Sequence, residues 1–297
     1  MAYAKIIDIE DPGYFRLKSI DQSQLKQFLK NPADWAYHRL NDDHKPTDAM
    51  KFGTAFHAYL LGTSDVVSLP EGESFRSKDN QKWRDEQLEA GNIIVSYNDM
   101  QLLKRMKEGI EQTSLMPEYP DYMEIIEQGT KEQCIEWKDR QTGLMLKAKP
   151  DLIPVGTDYL VDLKTAQKAD AESFAKEVIN YGYHIQTVFY RAAVAACKPD
   201  AFDRGSKAPS TMQFWVFEKS DACDWQPFSI SDDNPITNLA ATSIRQALLG
   251  IALMVKKAKE EATQRTLQTP WMPPRSMRSD MVSTRRSRRF RSRTGSC

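Results

Sequence analysis

The sequence predicts an α/β or α+β fold in which a small central sheet is flanked by helices. Residues 98–115 repeat Met, Leu and Ile at helical spacing. Residues 132–166 contain three apolar segments separated by short turns, which is typical of strands. Residues 171–180 and 183–197 then return to helical spacing. Because helical and strand-like segments alternate along the chain, we expect the helices to pack on the faces of one sheet.

Helical segments dominate the N-terminal part of the chain. One helix is predicted to begin near Ser23 and to end near Pro32, and a short helix carrying Trp35 follows it. The segment "KFGTAFHAYLLG" then shows apolar residues at helical spacing. We expect this third helix to start at Gly53, which would place His57 one turn inside it.

Two more helices are predicted before the sheet. Residues 75–91 are charged and polar, which is typical of a surface helix or an ordered loop. Residues 98–115 form the amphipathic helix noted above, and we expect Asn98 to cap it.

The strand-like segments are "EQCIEWKD", "LMLKAKPDLIP" and "YLVDLKTA", and they predict a three-stranded meander. Glu132 would begin the first of these strands, and Asp151 would close the strand that precedes "YLVDLKTA". Asp162 and Lys164 are two residues apart on the third strand, so they share one face of it. An acid and a base on one face of an otherwise apolar strand indicate a functional site.

The remaining elements follow the meander. After the helices at 171–180 and 183–197, "TMQFWVFEK" is predicted to be a strand, and residues 235–262 to be a long helix.

Composition excludes several classes of protein. The chain has no run of 18 apolar residues, and its N-terminus carries acids where a signal peptide needs an apolar stretch. We therefore expect a cytoplasmic protein with no membrane partner. The cysteines are scattered and contain no C-x2-C pair, which argues against zinc ribbons, most iron–sulfur sites and a disulfide framework: they are Cys134, Cys197, Cys223 and Cys297.

The last residues differ in composition from everything before them. From Arg265 onward there are 9 arginines, no lysine and one acid, which leaves residues 1–264 with a net charge of −8. We expect two parts, a folded domain over residues 1–264 and a disordered Arg-rich tail over residues 265–297. A frame change or a recombined gene end is the favoured origin of this tail, and a basic DNA-binding tail is the alternative.

The spacing D-x10-D-x-K, from Asp151 to Asp162 and Lys164, is one way to build a metal-dependent phosphodiesterase. Carboxylates are the oxygen ligands that Mg²⁺ prefers, and a lysine can orient water or stabilise charge on a phosphate. Taken alone, the same pattern also fits a turn aspartate beside a surface salt bridge.

Four other residues favour the catalytic interpretation. Glu132 would place a third carboxylate near the same cleft. Gln186 and Tyr190 are four apart on a predicted helix and therefore share a face. His57 by itself is more typical of a satisfied core histidine, and it gains meaning only within the whole set.

The strings "FGTAFH", "LKAKPD", "VDLKT" and "YHIQTVFY", preceded by "IDQSQLKQF", occur in this order over roughly residues 10 to 262. In this combination the chain resembles the RecE-type exonucleases of the PD-(D/E)xK nuclease superfamily, RecB-like branch. The resemblance implies a PD-(D/E)xK nuclease core, with a small mixed sheet flanked by helices. The Arg-rich tail has no counterpart in that family.

The resemblance also implies roles for individual residues. Four of them would bind the catalytic Mg²⁺, for which Mn²⁺ can substitute: His57, Asp151, Asp162 and the carbonyl of Leu163. Lys164 would position or activate the attacking water. Glu132 would support the metal site, while Gln186 and Tyr190 would orient Lys164 and contact the scissile strand.

The activity implied by the resemblance is digestion of linear double-stranded DNA from the 5′ end. The product would be a 3′ single strand for phage-type recombination, handed to a recombinase or a single-strand annealing protein. A ring-like homo-oligomer around the duplex is expected. Two alternatives stay open: a related endonuclease or iron–sulfur-containing relative, and a non-catalytic DNA-binding recombination scaffold.

Overall fold

The fold is given by a computed structural model, which describes residues 4–9, 11–41, 47–198, 201–202 and 208–268. The helices are α1 (Asp11–Arg16), α2 (Gln22–Lys30), α3 (Pro32–Asn41), α4 (Asp48–Leu61), α5 (Lys78–Glu89), α6 (Tyr97–Ser114), α7 (Tyr122–Gln128), α8 (Ala171–Asn180), α9 (Tyr183–Ala195) and α10 (Pro235–Gln268). The strands are β1 (Lys5–Ile7), β2 (Val66–Ser68), β3 (Ile93–Val95), β4 (Thr130–Lys131), β5 (Cys134–Lys138), β6 (Met145–Ala148), β7 (Leu152–Ile153), β8 (Tyr159–Ala166), β9 (Thr211–Glu218) and β10 (Trp225–Ser231).

A five-stranded mixed sheet in the order β10-β9-β8-β7-β4 forms the centre of the fold. Strands β8 and β9 are parallel, whereas β9–β10, β7–β8 and β4–β7 are antiparallel. A parallel pair needs a crossover connection, and the helices α8 and α9 supply it between β8 and β9. This helix-flanked mixed sheet confirms the predicted fold class.

The two faces of β8 meet different partners. Val161 and Leu163 are fully buried in an apolar cluster that also contains Phe56 of α4, Leu103 of α6 and Trp215 of β9. Burying one such aliphatic side chain contributes roughly 1.5–3 kcal/mol. The alternate residues of β8 face the opposite way, toward α9. The apolar neighbours therefore anchor the strand and fix the direction of its polar side chains.

The predicted three-stranded meander is wrong in one respect. Its second segment is divided into β6 and β7, which belong to different sheets: β6 pairs with β5 in a three-stranded sheet with β1, whereas β7 pairs with β8. Asp151 lies in the bend between β6 and β7, so it does not close a strand. The bend transfers the chain from one sheet to the other and leaves Asp151 where they meet.

Glu132 does not begin a strand either. It lies between β4 and β5 with φ 48°, in the left-handed region that non-glycine residues adopt infrequently. Its backbone N–H donates to the carbonyl of Asp151 at 2.9 Å. The unusual conformation of Glu132 therefore helps to hold the bend at Asp151.

Two helices have a different first residue or cap from the one predicted. The helix with "GTAFH" begins at Asp48, where the Thr47 side chain accepts from the backbone N–H of Met50, so Gly53 lies inside it. Helix α6 is capped by Ser96 rather than by Asn98, because the Ser96 hydroxyl accepts from the N–H of residue 99. In both cases the true cap is a Ser or Thr with extended backbone, the usual N-cap chemistry.

The long helix α10 contains an apolar segment. Its segment Pro235–Glu261 is long and apolar enough to cross a membrane, by length and composition only. A single such helix is weak evidence of a membrane span. Here Arg245 pairs with Asp139 at 3.2 Å, and Ala240 and Ala247 are fully buried on one face.

Residues 1–250 form one compact unit, and α10 continues beyond it to Gln268. The predicted boundary between the domain and the tail at residue 264 stays a prediction. Of the tail predicted over 265–297, residues 269–297 lie outside the described residues. Cys134, Cys197 and Cys223 are buried free thiols, as expected.

Candidate active site

The two aspartates of the D-x10-D spacing are brought together by the pairing of β7 with β8. Leu152 lies opposite Val161 in this antiparallel pair. Extending the register by one residue sets Asp151 level with Asp162. The Oδ2 atom of Asp151 accepts a hydrogen bond from the backbone N–H of Leu163 at 2.7 Å. A carboxylate from the bend before β7 therefore lies against the polar residues of β8.

His57 reaches this same point from α4. Its Nε2 atom lies 3.0 Å from the carbonyl oxygen of Leu163, and its Nδ1 atom lies 3.5 Å from Oδ2 of Asp151. Since α4 begins at Asp48, His57 is in the third turn of the helix rather than one turn in. The structure therefore brings together His57, Asp151 and the Leu163 carbonyl, as the resemblance implied.

Asp151 is electrostatically strained by its surroundings. Burial, and to a smaller extent the nearby charge of Asp162, raises the pKa of its carboxyl to about 6. The His57 imidazole, Lys164 and the N–H of Leu163 act in the opposite direction. The Asp151 carboxyl is therefore harder to ionise than an exposed one, mainly because it is buried.

Asp162 is fixed by two donors on opposite oxygens. The side-chain amide of Gln186, on α9, donates to Oδ1, and the ammonium of Lys164 forms an ion pair at Oδ2. Asp162 and Gln186 are only 1% and 4% exposed. Oδ2 touches the lysine but accepts no hydrogen bond of regular geometry. Gln186 was predicted to orient Lys164; its side chain contacts Asp162, the ion-pair partner of Lys164, and its predicted role stays a prediction.

Tyr183 was not singled out from the sequence, yet it lies directly at Lys164. The Lys164 ammonium is 5.0 Å from the centre of the Tyr183 ring, within the range of a cation–π interaction. Burial and the Glu177 carboxylate, to which Tyr183 is hydrogen-bonded, raise the pKa of Tyr183. Tyr183 precedes Gln186 by three residues, so helical spacing alone could have placed both on one face of α9.

Within the part of the chain that the structure describes, the side chains of Tyr190 and Glu132 form no hydrogen bond or ion pair with the two aspartates or with Lys164. Tyr190 is buried one turn after Gln186, and burial, with smaller contributions from Tyr14 and from Asp162, raises its pKa well above the ordinary tyrosine value. The Glu132 carboxylate lies 3.5 Å from Nζ of Lys149. Its side chain therefore meets a lysine, and its predicted support of the metal site stays a prediction.

Lys26 is a second lysine at the site that the sequence did not indicate. It lies on α2, and its ammonium donates to the carbonyl of Tyr181 at 2.9 Å. Burial, and then the charge of Lys164, lower the pKa of Lys26 to about 8. No sequence signal marks Lys26, because its neighbours at the site are more than 130 residues away along the chain.

The donor atoms of this site suit a hard divalent cation. They are two carboxylates, a backbone carbonyl and one imidazole, and Mg²⁺ prefers oxygen ligands. His57 Nε2 donates to the Leu163 carbonyl oxygen at 3.0 Å, so this nitrogen would have to give up its proton to bind a cation. Within the described ranges, no three His, Cys, Asp or Glu side chains converge as they stand. Asp162 is turned toward Gln186 and Lys164, so one of its oxygens would have to leave Lys164 to complete the set.

Comparison with proteins of known structure supports the fold. A Eubacterium rectale protein assigned as an exonuclease is 15% identical, with a TM-score of 0.54 over 85% of this chain and 88% of that chain. An alkaline exonuclease from Laribacter hongkongensis is 13% identical over 84% of this chain and 96% of that one, with a TM-score of 0.39. A phage-related exonuclease from Haemophilus somnus is 11% identical over 81% and 96%, with a TM-score of 0.34. Only the first similarity is close enough to support the fold.

Sequence comparison gives the family. No curated protein sequence matches the chain. The profile of the PDDEXK-like domain of unknown function, DUF3799, matches residues 21–264, which include every residue of the candidate site. The narrower RecE-type assignment stays a prediction. The match over most of the chain and the helix-flanked mixed sheet lead to one conclusion: this protein belongs to the PDDEXK-like DUF3799 family and has the PD-(D/E)xK nuclease fold.

Proposed function

We propose that the protein is a Mg²⁺-dependent exonuclease that digests linear double-stranded DNA from 5′ to 3′ and leaves 3′ single-stranded overhangs. The observation that carries the proposal is the arrangement around β8. The Asp162–Lys164 pair on one face of this strand meets Asp151 and His57 at its polar end. A structural ion pair would need neither the second buried carboxylate nor the imidazole.

The proposed metal ligands are His57, Asp151, Asp162 and the carbonyl of Leu163. Bound Mg²⁺, or Mn²⁺ in its place, would polarise the scissile phosphate and lower the pKa of a coordinated water. The unfavourable burial of two carboxylates in one pocket supports this assignment, because a divalent cation would balance their charge.

The other side chains have roles that need no metal geometry. Lys164 lies at the open end of the acidic pair, 20% exposed, where it can hold the attacking water and stabilise negative charge on the phosphate. Gln186 fixes the rotamer of Asp162 through a buried hydrogen bond. Tyr190 is proposed to contact the scissile strand, and Glu132 to support the bend at Asp151.

Two alternatives give different experimental results. A related endonuclease would use the same side chains and would also cut closed circular DNA. A non-catalytic recombination scaffold would keep the fold and bind DNA without hydrolysis. The close set of Asp151, Asp162 and Lys164 favours the enzymatic readings, since a scaffold has no use for a strained carboxylate pair.

The biological setting is also part of the proposal. We propose that the substrate is the end of a linear duplex, that the protein acts in the cytoplasm as a homo-oligomeric ring, and that it serves phage-type recombination. A single-strand annealing protein would receive the product strand. The exonuclease assignment of the Eubacterium rectale protein with this fold agrees with such a role.

One assay tests reaction class and polarity together. Purified protein with Mg²⁺ is incubated with a linear duplex labelled at either the 5′ or the 3′ end, beside a closed circular plasmid. We expect early release of the 5′ label, late release of the 3′ label and an intact plasmid. Early release of the 3′ label would show that digestion runs from 3′ to 5′ instead. Cutting of the plasmid would support the endonuclease, and no hydrolysis at all would contradict both enzymatic proposals.

A further inference from the structure

Lys26, on α2, contacts the turn between α8 and α9 at residues 181–182. Its ammonium binds the carbonyl of Tyr181 at 2.9 Å, and its aliphatic stem packs on Gly182. A Cβ atom added to Gly182 would lie 2.5 Å from Cδ of Lys26, so this close packing depends on the glycine. The position of Lys26 is therefore fixed by the turn.

The second cation at this turn is Lys164. Lys164 is on β8, and its ammonium lies over the ring of Tyr183. Tyr183 is two residues after Tyr181, whose carbonyl Lys26 binds. Two ammonium groups from separate elements thus meet at one turn. The charge of Lys164 lowers the pKa of Lys26, and only burial lowers it more.

The two lysines differ in their partners. Lys164 forms an ion pair with Asp162. For Lys26, no carboxylate of the described part of the chain lies within ion-pair distance, and its hydrogen-bond acceptor is a neutral carbonyl. Asp162 and Asp21 attract it only from farther away. A half-buried ammonium beside another ammonium is unfavourable, and an anion placed between them would remove the cost.

We propose that Lys26 is a second phosphate-binding cation of the site, which contacts a phosphodiester group of the DNA strand held at Lys164. This inference rests on the proposed function, because it assumes that nucleic acid enters the site. A lysine binds phosphate as a point charge and reads no sequence, so the contact would serve every DNA sequence equally. Lys26 would thereby hold the strand while Lys164 acts at the reacting phosphate.

The test compares three full-length variants. Lys26→Met keeps the unbranched stem that packs on Gly182 and removes only the charge, whereas Lys26→Arg restores a charge on a similar stem. Lys30→Ala is the matched control, since it removes one exposed lysine at the end of the same helix. Thermal melting establishes that each variant is folded. Affinity for a short blunt duplex is measured by fluorescence anisotropy with Ca²⁺ in place of Mg²⁺, over a range of salt concentrations and with two unrelated sequences.

We expect Lys26→Met to weaken binding about five- to tenfold for both sequences and to lower the salt slope by about 0.9, the value for one lost phosphate contact. With Mg²⁺, KM should rise by a similar factor while kcat changes little, because a uniform binding contact is lost. Lys26→Arg should recover most of the affinity, and Lys30→Ala should bind as the wild type does.

Several outcomes would overturn the inference. Wild-type affinity and salt slope in Lys26→Met would show that Lys26 only ties α2 to the turn. An equal loss in Lys30→Ala would show that general charge, rather than a contact, is responsible. If the wild-type protein digests duplex DNA while Lys26→Met is unaffected, only this inference fails. If the wild-type protein neither binds nor digests duplex DNA, the proposed function fails and this inference with it.

Discussion

Replacing Gln186 by Met tests whether Asp162 is held by a second residue. In the structure the Gln186 amide donates to Oδ1 of Asp162, and neither side chain is more than 4% exposed. Methionine has nearly the same length, so Gln186→Met leaves little cavity and removes mainly one hydrogen bond to a buried carboxylate. Such hydrogen bonds contribute about 1.5–3 kcal/mol. The free energy of unfolding of the metal-free protein should fall by that amount.

The same substitution should also reduce activity. Asp162 would keep only its ion pair with Lys164, so its carboxylate could rotate away from Asp151. Loss of alignment of this kind costs about ten- to a hundredfold in rate. We expect this loss in kcat for linear duplex DNA at saturating Mg²⁺, under conditions where urea unfolding shows that the variant is fully folded.

A matched control is available on the same helix. Thr187 is fully buried and donates to the carbonyl of Tyr183 at 3.0 Å, away from the carboxylates. Thr187→Val removes one neutral hydrogen bond, so it should cost about 1 kcal/mol of stability and leave the digestion rate unchanged. The reasoning about Gln186 is refuted if Gln186→Met digests DNA at the wild-type rate, or if Thr187→Val loses as much activity.

Four further predictions concern the lysine, the ring beneath it, the metal and the tail. Lys164→Met should fold and bind DNA but lose about a hundredfold or more in turnover, and near-normal turnover would make Lys164 a surface charge. Tyr183→Leu should lower kcat, because it removes the ring beneath the Lys164 ammonium, whereas Tyr183→Phe keeps the ring and should not lower kcat. Equal losses of kcat in both variants would contradict the cation–π role. EDTA should abolish hydrolysis, Mn²⁺ should restore it and Ca²⁺ should not. Because burial raises the pKa of Asp151 to about 6, the stability of the metal-free protein should fall as pH rises from about 4 to about 6. Mg²⁺ should therefore raise Tm more at about pH 7.5 than at about pH 5. A Mg²⁺ effect on Tm that is independent of pH would argue against Asp151 as a ligand. Deleting residues 275–297 should leave the rate and its salt dependence unchanged, and a smaller salt slope would instead support a DNA-binding tail.

The sequence was most informative where local geometry decides the outcome. Asp162 and Lys164 are two apart on a strand, and the alternation of strand faces was enough to place them together. Gln186 and Tyr190 are four apart on a helix, so their shared face was predictable for the same reason. These relations follow from the repeat of the backbone and do not depend on distant parts of the chain.

Other features were decided by contacts that no local pattern contains. The bend at Asp151 exists because β6 and β7 belong to different sheets, and a continuous apolar run does not reveal where a chain changes sheet. The start of α4 was misplaced because Gly53 was read as a boundary, although the Thr47 cap lies upstream. Lys26 reaches the site only through the packing of α2 on the α8–α9 turn, which is a tertiary contact over 155 positions.

The most direct test of the account is Mg²⁺-dependent release of nucleotides from linear duplex DNA by Asp162→Asn. Asparagine keeps the size of Asp162 and its ability to accept from Gln186, but removes the charge that would bind Mg²⁺ and pair with Lys164. Asp79→Asn, at an exposed acid in the first turn of α5, is the control for loss of one negative charge. We predict that Asp162→Asn remains folded and loses nearly all hydrolysis, while Asp79→Asn retains the wild-type rate. Hydrolysis by Asp162→Asn at the wild-type rate would contradict the assignment of this site.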